Sequence, residues 1–171
     1  RLNYFRDTRG RPRGVAKMPG AGPTWLSGYV SLPDKTGKTR LVAAYVKIKP
    51  PLEAYEAGLC VWGEKTEDFE RFRTEWTKSQ AAPEQPPVPQ GHPVIIDDND
   101  GRKRVLFGDP LPKLRCPATF EAWQDRNQWE ILKPQETIAA AGDGKPVKPA
   151  SGSIAWNSFR KRWVTVFMQT F

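Results

Sequence analysis

The chain has 171 residues, of which 38% are hydrophobic and 11% aromatic, so it carries enough apolar material for a folded core. This composition excludes a wholly disordered segment, and no run approaches the roughly 18 apolar residues that a membrane-spanning helix needs. The 27 Lys and Arg residues outnumber the 19 Asp and Glu residues, and the net charge of +8 is compatible with an anionic partner such as nucleic acid or an acidic sugar.

Both ends of the sequence have the character of cut ends. Residues 1–5 resemble neither an initiator methionine nor a secretion signal, and residues 163–171 form an apolar, β-rich run with no turn after it. Cys60 and Cys116 lack paired spacing and a neighbouring histidine cluster, so the sequence predicts neither a zinc site nor a disulfide framework. No phosphate-binding, dinucleotide-binding or metal motif is present, and we expect no cofactor.

Four stretches of the sequence predict β-hairpins, because short β-branched or aromatic runs flank turns rich in Asp, Asn and Gly. In chain order, with the turn in the middle, they are 2–5/7–10/12–16, 28–32/33–38/40–45, 92–96/97–102/104–108 and 152–156/157–161/162–166. The last three begin at residues 28, 92 and 152, so one unit of about 60 residues recurs along the chain.

A second pair of runs follows the hairpin in the first two units. Residues 59–62 and 69–72 correspond to residues 120–123 and 129–132. Each unit is therefore predicted to hold four strands. A helix at residues 53–57 or at 118–125 is the competing prediction.

Four-stranded units of this length are typical of β-propellers, in which they are arranged radially as blades. We therefore predict an all-β fold that is part of a β-propeller, and a Greek-key sandwich or an irregular all-β domain is the alternative. The predicted divisions are 1–18 (outer hairpin of a preceding blade), 24–77 (blade), 78–89 (linker), 90–133 (blade), 134–150 (linker) and 151–171 (start of the next blade).

In a propeller, the loops from strand two to strand three share one face with the loops between blades, and ligands usually bind on that face. This sorting predicts ligand-binding roles at the mouth for Trp25, Ser27, Lys47, Arg115 and Ser153. The Trp25 ring can stack on a sugar, and the planar fork of Arg115 can clamp a carboxylate or sugar hydroxyls. The alternatives are core packing for Trp25 and a contact with Asp109 for Arg115.

Three residues at the predicted mouth are candidates for acid–base chemistry. His92 is the single histidine of the chain and opens an innermost strand, where it can exchange a proton or bind the ligand. Glu53 and Glu56 lie three residues apart beside Tyr55, and a partly apolar crevice would raise the pKa of such a carboxyl toward neutrality. The alternative for His92 is a structural role. The alternative for Glu53 and Glu56 is a solvated loop or a short helix face.

The clustered basic residues fall on the opposite face, in the hairpin turns. They are Lys35, Lys38, Arg102, Lys103, Arg104, Arg160 and Lys161. We interpret them as solvated turn residues that keep the strand edges soluble. A phosphate-binding ring is the alternative, but the aromatic platforms of single-strand binding are not interleaved with these residues, and we expect no nucleic-acid partner.

Residues 49–59, 91–93 and 152–163 resemble segments of bacterial five-bladed β-propellers related to the glycoside hydrolases of family 43, and the likeness spreads over most of residues 20–171. The resemblance implies a carbohydrate ligand or substrate and a periplasmic or secreted location. It also implies an Asp base on an innermost strand, a second Asp that tunes pKa and orientation at the site, and a Glu acid. In this chain the innermost strands open with 27–28, 91–92 and 152–153, none of which contains Asp.

The function expected from these observations is hydrolysis of a glycosidic bond in a central funnel. Glu53 or Glu56 would supply the acid, and His92 would bind the substrate or relay a proton. A non-catalytic propeller that binds glycan or protein is the alternative, and an anion-binding scaffold that uses the basic turns is a third hypothesis.

Overall fold

The computed structural model describes residues 4–133 and 137–170, and most of this part of the chain is antiparallel β-sheet. The N-terminal sheet contains β1 (Thr24–Pro33), β2 (Thr39–Lys49), β3 (Glu53–Gly63) and β4 (Asp68–Thr77), in that order. The middle sheet contains β5 (Val94–Asp97), β6 (Lys103–Gly108), β7 (Pro112–Pro117) and β8 (Glu130–Ile131). The C-terminal sheet has the order β11-β10-β9, from β9 (Ile138–Ala139), β10 (Pro146–Asn157) and β11 (Arg162–Thr170).

The all-β prediction is confirmed, and none of the three described sheets closes on itself. The predicted hairpins that begin at 28, 92 and 152 coincide with the pairs β1–β2, β5–β6 and β10–β11. Near the N-terminus, the turn at 7–10 carries a single bridge between Arg6 and Pro12 and no longer strand, and residues 1–3 of that predicted hairpin lie outside the described residues.

Three predicted elements are wrong in type or position. Residues 120–123 are not a strand but belong to helix α1 (Phe120–Gln124), which begins where the Thr119 side chain accepts a hydrogen bond from the Ala122 amide. The third strand of the middle sheet is therefore β7, and the predicted alternative of a helix within 118–125 is confirmed. Residues 53–57 begin strand β3 and form no helix. Strands β9 and β10 also occupy part of the predicted linker at 134–150, whose residues 134–136 lie outside the described residues.

Three tight turns share the pattern D-x-x-G-[K/R]-x-R and begin at Asp7, Asp34 and Asp98. In each turn, the Asp amide donates to the carbonyl four residues later, and the Gly amide donates back to the Asp carbonyl. The Gly adopts a positive φ of 75–81° in all three turns, a conformation that glycine reaches at low cost. In the last two turns, Nε of Arg40 and Arg104 lies 3.0 and 2.9 Å from the Asp carboxylate. The β1–β2 and β5–β6 turns are thus closed by the same device.

The stability that Asp34 contributes through the β1–β2 turn depends on pH. The hydrogen bond from the Thr36 hydroxyl, assisted by Arg40 and two amides, lowers the pKa of Asp34 from 3.8 to about 2. Because the folded pKa is depressed, the stability that Asp34 contributes is complete above the unfolded pKa of about 4 and is lost as the pH falls toward 2. We expect Asp34→Asn to lose that part of the acid dependence in urea unfolding measured from pH 5 to pH 2. The control is Asp97→Asn at a carboxylate that is 74% exposed, and equal pH profiles for Asp34→Asn and wild type would contradict the prediction.

The N-terminal and middle sheets pack face to face around one hydrophobic core. The buried residues are Val30, Leu32, Val42 and Leu59 from the first sheet, and Val105, Phe107, Leu114, Cys116, Ala118 and Trp123 from the second. Burial of one such aliphatic side chain contributes about 1.5–3 kcal/mol, so this face accounts for much of the stability. Helix α1 adds to the joint, because its Glu121 carboxylate accepts a 2.9 Å hydrogen bond from the Lys35 amide in the β1–β2 turn.

The other face of the N-terminal sheet is covered by the segment that precedes β1. Met18 packs with Tyr45, Cys60 and Phe69 in a second buried cluster, and the ring of Phe5 lies 5.4 Å from that of Trp62. The two cysteines sit in different clusters and are buried free thiols, and burial raises the pKa of each to about 12. Neither thiol is therefore activated for chemistry.

Candidate functional site

Unequal strand lengths create a recess at one end of the middle sheet. Strands β2 and β3 each have 11 residues, whereas β6 and β7 each have 6. Since β2 and β6 both start from a D-x-x-G turn, a strand five residues shorter ends about 17 Å earlier at roughly 3.3 Å per residue. The middle sheet therefore stops short at the end that faces away from those turns.

A proline-rich segment, residues 78–93, crosses this recess on its way from β4 to β5. Its course is fixed by hydrogen bonds from Trp76 Nε1 to the Ala82 carbonyl (2.9 Å), from the Gly28 amide to the Gly91 carbonyl (2.8 Å) and from the His92 amide to the Gly108 carbonyl (2.7 Å). The segment thus connects the N-terminal and middle sheets backbone to backbone.

Between this segment and the ends of β6, β7 and β8 lies a cleft of about 470 Å³, which we call the Asp109 cleft. Its lining residues are Gln85, Pro86, Pro87, Val88, Gln90, Gly91, Phe107, Gly108, Asp109, Lys113, Leu114, Ile131 and Leu132. Its size and its largely apolar wall with a few polar groups are typical of small-ligand sites. Asp109 and Lys113 are the charged residues of this lining.

The Asp109 carboxylate is held at both oxygens by the C-terminal sheet. Oδ1 accepts a 2.7 Å hydrogen bond from the Gly152 amide, and Oδ2 accepts a 3.0 Å hydrogen bond from the Ser151 hydroxyl. Each carboxylate oxygen retains a lone pair that can accept from a ligand hydroxyl. Asp109 is therefore an oriented acceptor that links the middle and C-terminal sheets at the edge of the cleft.

Three candidates from the sequence lie at the border of this cleft. The Ser27 hydroxyl accepts a 3.3 Å hydrogen bond from the Gly91 amide. His92 follows Gly91 directly and its side chain is exposed, and Ser153 follows Gly152 and is exposed as well. The structure therefore places all three beside the residues that form the cleft and hold Asp109.

Glu53 lies in a different cleft, of about 480 Å³, that is also lined by Lys49, Tyr55 and Lys78. Its carboxylate pairs with the ammonium groups of Lys78 at 2.8 Å and Lys49 at 3.3 Å. These hydrogen bonds, first from Lys78 and then from Lys49, lower the pKa of Glu53. The expected rise in its pKa is therefore not found, and Glu53 is ionised near neutral pH.

Glu56 has partners of its own. It accepts a 2.9 Å hydrogen bond from the Tyr45 hydroxyl and lies 2.7 Å from Nη2 of Arg71. Burial raises the pKa of Tyr45 to about 12, so its hydroxyl stays a donor to this carboxylate. The register between β2 and β3 shifts beside Glu56, between Lys47 and Ile48, so the strand does not alternate regularly from Glu53 to Glu56. The two carboxylates are engaged by different cations, Glu53 by Lys49 and Lys78 and Glu56 by Arg71.

Lys47 is only 1% exposed and holds the segment before β1 in place. Its ammonium donates to the Gly22 carbonyl at 2.9 Å, the Thr24 hydroxyl at 3.3 Å and the Met18 carbonyl at 3.4 Å. All three donor positions of the ammonium are thus occupied by protein oxygens.

Arg115 and Trp25 also lie away from the Asp109 cleft lining. Arg115 donates through Nε to Glu130 at 2.8 Å and lies 3.4 Å from Asp98, so its carboxylate partners are these two and not Asp109. The Glu130 hydrogen bond raises the pKa of Arg115. Trp25 is 52% exposed on β1, opposite Val46 of β2, and its ring is available to solvent.

The residues that sequence analysis missed are Asp109 and Lys113. Asp109 lies in the connection between β6 and β7, and Lys113 is the second residue of β7, two residues before the candidate Arg115. The available signal was the distance from the turn glycine to the proline of the crossing, which is thirteen residues from Gly37 to Pro50 and nine from Gly101 to Pro110. That difference predicts a shorter second strand and hence the recess.

Within the described residues, no helix is long and apolar enough to cross a membrane. In the same part of the chain, no group of three or more His, Cys, Asp or Glu side chains is arranged to hold a metal ion. Comparison with known proteins finds no matching family model, curated protein or solved structure. The resemblance to propellers of the glycoside hydrolase group therefore stays a prediction.

Proposed function

We propose that the N-terminal and middle sheets are adjacent blades of a β-propeller, that β10 and β11 begin the next blade, and that the protein binds carbohydrate in the Asp109 cleft. Two four-stranded meanders pack face to face and carry equivalent D-x-x-G turns at one end. The cleft lies at the other end, among the crossings where propellers usually bind ligands. These features support the radial arrangement that propellers adopt.

The observation that supports a carbohydrate ligand is the oriented Asp109 carboxylate in an otherwise largely apolar cleft. A sugar ring presents apolar C–H faces and hydroxyl groups around its edge. The walls formed by Pro86, Pro87 and Leu132 match the faces, whereas Asp109 accepts from hydroxyls and Lys113 donates to them. A small number of fixed polar groups in an apolar wall is the arrangement that gives such sites their specificity.

Binding without hydrolysis is the form of this function that the geometry favours. Glycoside hydrolysis generally needs two carboxyl groups, about 5–5.5 Å apart for retention or about 6.5–9.5 Å apart for inversion. Asp109 is the carboxylate of the described cleft lining, and Glu53 and Glu56 are engaged elsewhere. Hydrolysis with Asp109 as the base is the second candidate, because its carboxylate faces the space that a ligand would occupy.

The binding proposal predicts that Asp109→Asn and Lys113→Gln each weaken glycan binding about tenfold or more, because each removes a charged hydrogen-bonding partner worth about 1.5–3 kcal/mol. Glycan arrays identify the ligand, and calorimetric titration measures its affinity. The matched controls are Asp143→Asn and Lys145→Gln, which neutralise an exposed ion pair of 2.9 Å outside the cleft. Lys113→Gln keeps the test informative if Asp109→Asn loosens the C-terminal sheet.

Turnover of aryl glycosides separates the two candidate functions. The binding proposal expects none, and turnover that disappears in Asp109→Asn would establish hydrolysis in this cleft. Glu53→Gln, Glu56→Gln and His92→Ala test the sites expected from the sequence. Loss of sugar binding in Glu53→Gln or Glu56→Gln, with normal binding by Asp109→Asn and Lys113→Gln, would move the site away from the Asp109 cleft.

A further inference from the structure

A second cleft, of about 410 Å³, adjoins the Asp109 cleft, and we call it the Trp129 cleft. Its lining includes Glu75, Trp76, Glu84, Arg126 and Trp129. Three residues line both clefts, so that one cleft lies on each side of them: Pro86, Pro87 and Ile131. The two clefts are therefore neighbours across a ridge made by these three residues.

The walls of the Trp129 cleft are fixed by contacts within the protein. Trp76 Nε1 donates to the Ala82 carbonyl at 2.9 Å, and Trp129 Nε1 donates to the Trp123 carbonyl at 2.9 Å. Nε of Arg126 lies 2.6 Å from the Glu75 carboxylate, whose side chain is only 3% exposed. Because these partners are already satisfied, a ligand would meet a preformed cleft and pay little ordering cost.

Ile131 of the ridge is the last residue of β8, which is a short strand. Strand β8 has 2 residues, whereas the corresponding outer strand β4 of the N-terminal sheet has 10. Ile131 at the end of β8 is 52% exposed, so none of the described strands covers it. The clefts therefore form two wells of one groove that passes over Ile131.

The groove does not share the positive charge of the whole chain, which is +8. The acids of its lining are Asp109, Glu75 and Glu84, and the bases are Lys113 and Arg126. Arg73 lies outside the lining and pairs with Glu75. Glu75 is occupied by the two arginines, which leaves exposed Glu84 as the acceptor of the Trp129 cleft. A polyanion would gain no net attraction here, and a neutral ligand would lose none.

We infer that the groove binds a neutral, linear oligosaccharide that occupies both wells and crosses Ile131, an inference that rests on the proposed carbohydrate binding. Each well repeats the same elements, an apolar wall with one available carboxylate. A chain of similar sugar units presents the matching repeat. A ligand confined to one well would leave half of this preformed surface uncovered.

The test measures affinity against chain length by calorimetric titration. The probes are β-1,4-linked glucan, mannan, xylan and galactan oligosaccharides of one to six units, with heparin fragments as the polyanionic comparison. We expect affinity for at least one neutral series to rise at least tenfold from the shortest to the longest member. Glu84→Gln should lower the affinity of the long members at least threefold and leave the shortest unchanged, whereas Lys113→Gln should weaken all of them, and so should Ile131→Asp because Ile131 lines both clefts. The control is Glu64→Gln, at an exposed glutamate in the β3–β4 turn.

The outcomes distinguish the two proposals. If no sugar of any length binds, carbohydrate binding is wrong and the extended groove falls with it. If short and long members bind equally and Glu84→Gln has no effect, carbohydrate binding in the Asp109 cleft stands and the extended groove is wrong. Heparin fragments that bind more tightly than every neutral series would overturn the charge argument.

Discussion

Gly91→Ala should destabilise the protein by about 3 kcal/mol or more and abolish ligand binding in the Asp109 cleft. Gly91 has φ +90°, and a Cβ atom there would lie 2.2 Å from the Gly108 carbonyl oxygen. The obstacle is backbone at the end of β6, so it cannot rotate away as a side chain could. The substitution would push the crossing segment off the middle sheet and break the hydrogen bond from the His92 amide to Gly108.

Gly101→Ala is the matched control, because Gly101 has φ +75° but a Cβ atom there would meet nothing within 4 Å. It should cost only the conformational penalty of about 1–2 kcal/mol for an L-residue in the left-handed region. Urea unfolding measures both variants, and titration with the array-selected glycan measures binding. Equal stability losses for the two variants would show that the contact at Gly91 is not tight.

Glu75→Ala should lower the free energy of unfolding by about 2–3 kcal/mol and weaken the contact between the N-terminal and middle sheets. Removing one member of a buried ion pair typically costs 3–5 kcal/mol, and the loss here is smaller because Arg73 and Arg126 are 40% and 50% exposed and can turn to water. From β4, Glu75 engages Arg126 of the 3₁₀ turn Arg126–Gln128, and Arg73 donates to the Gln124 carbonyl at 2.6 Å. One side chain thus connects the two sheets beside the Trp129 cleft.

Denaturant unfolding of Glu75→Ala, Arg126→Ala and the double variant measures this coupling. We expect the loss of unfolding free energy in the double variant to be smaller than the sum of the two single losses, by at least about 1 kcal/mol. The reason is that the second substitution removes a partner that has already lost its bond. Glu64→Ala in the exposed β3–β4 turn should change stability by less than about 0.5 kcal/mol. Additive losses at Glu75 and Arg126 would mean that the pair contributes no coupling.

The hairpins could be predicted from the sequence because their information is local. At Asp34 and Asp98, the Asp, the Gly three residues later and the Arg six residues later determine both the turn and the start of the next strand. Helix α1 was also encoded locally, in Thr119 as its cap and in the three-residue spacing of Phe120 and Trp123. That spacing fits a helix face better than a strand, which is why the strand prediction there was wrong.

The candidate site was predicted only in part, because its chemistry depends on contacts between distant segments. The ionised state of Glu53 depends on Lys78, and the orientation of Asp109 depends on Ser151 and Gly152. Neither pairing follows from composition or spacing. The choice of the mouth face nevertheless placed Ser27 and His92 at the border of the Asp109 cleft, since the order of strands along the chain decides which loops meet.

The short β6 and β7 show how a difference in strand length between two similar sheets opens a cleft. The middle sheet has the same kind of turn as the N-terminal sheet and contributes to the same core, but its second strand is shorter. The space beyond these strand ends is the Asp109 cleft, whose floor residues Phe107 and Leu114 are buried in the core shared with the neighbouring sheet. Specificity can then change through the few residues of one crossing, while the packing that holds the repeats together is left untouched.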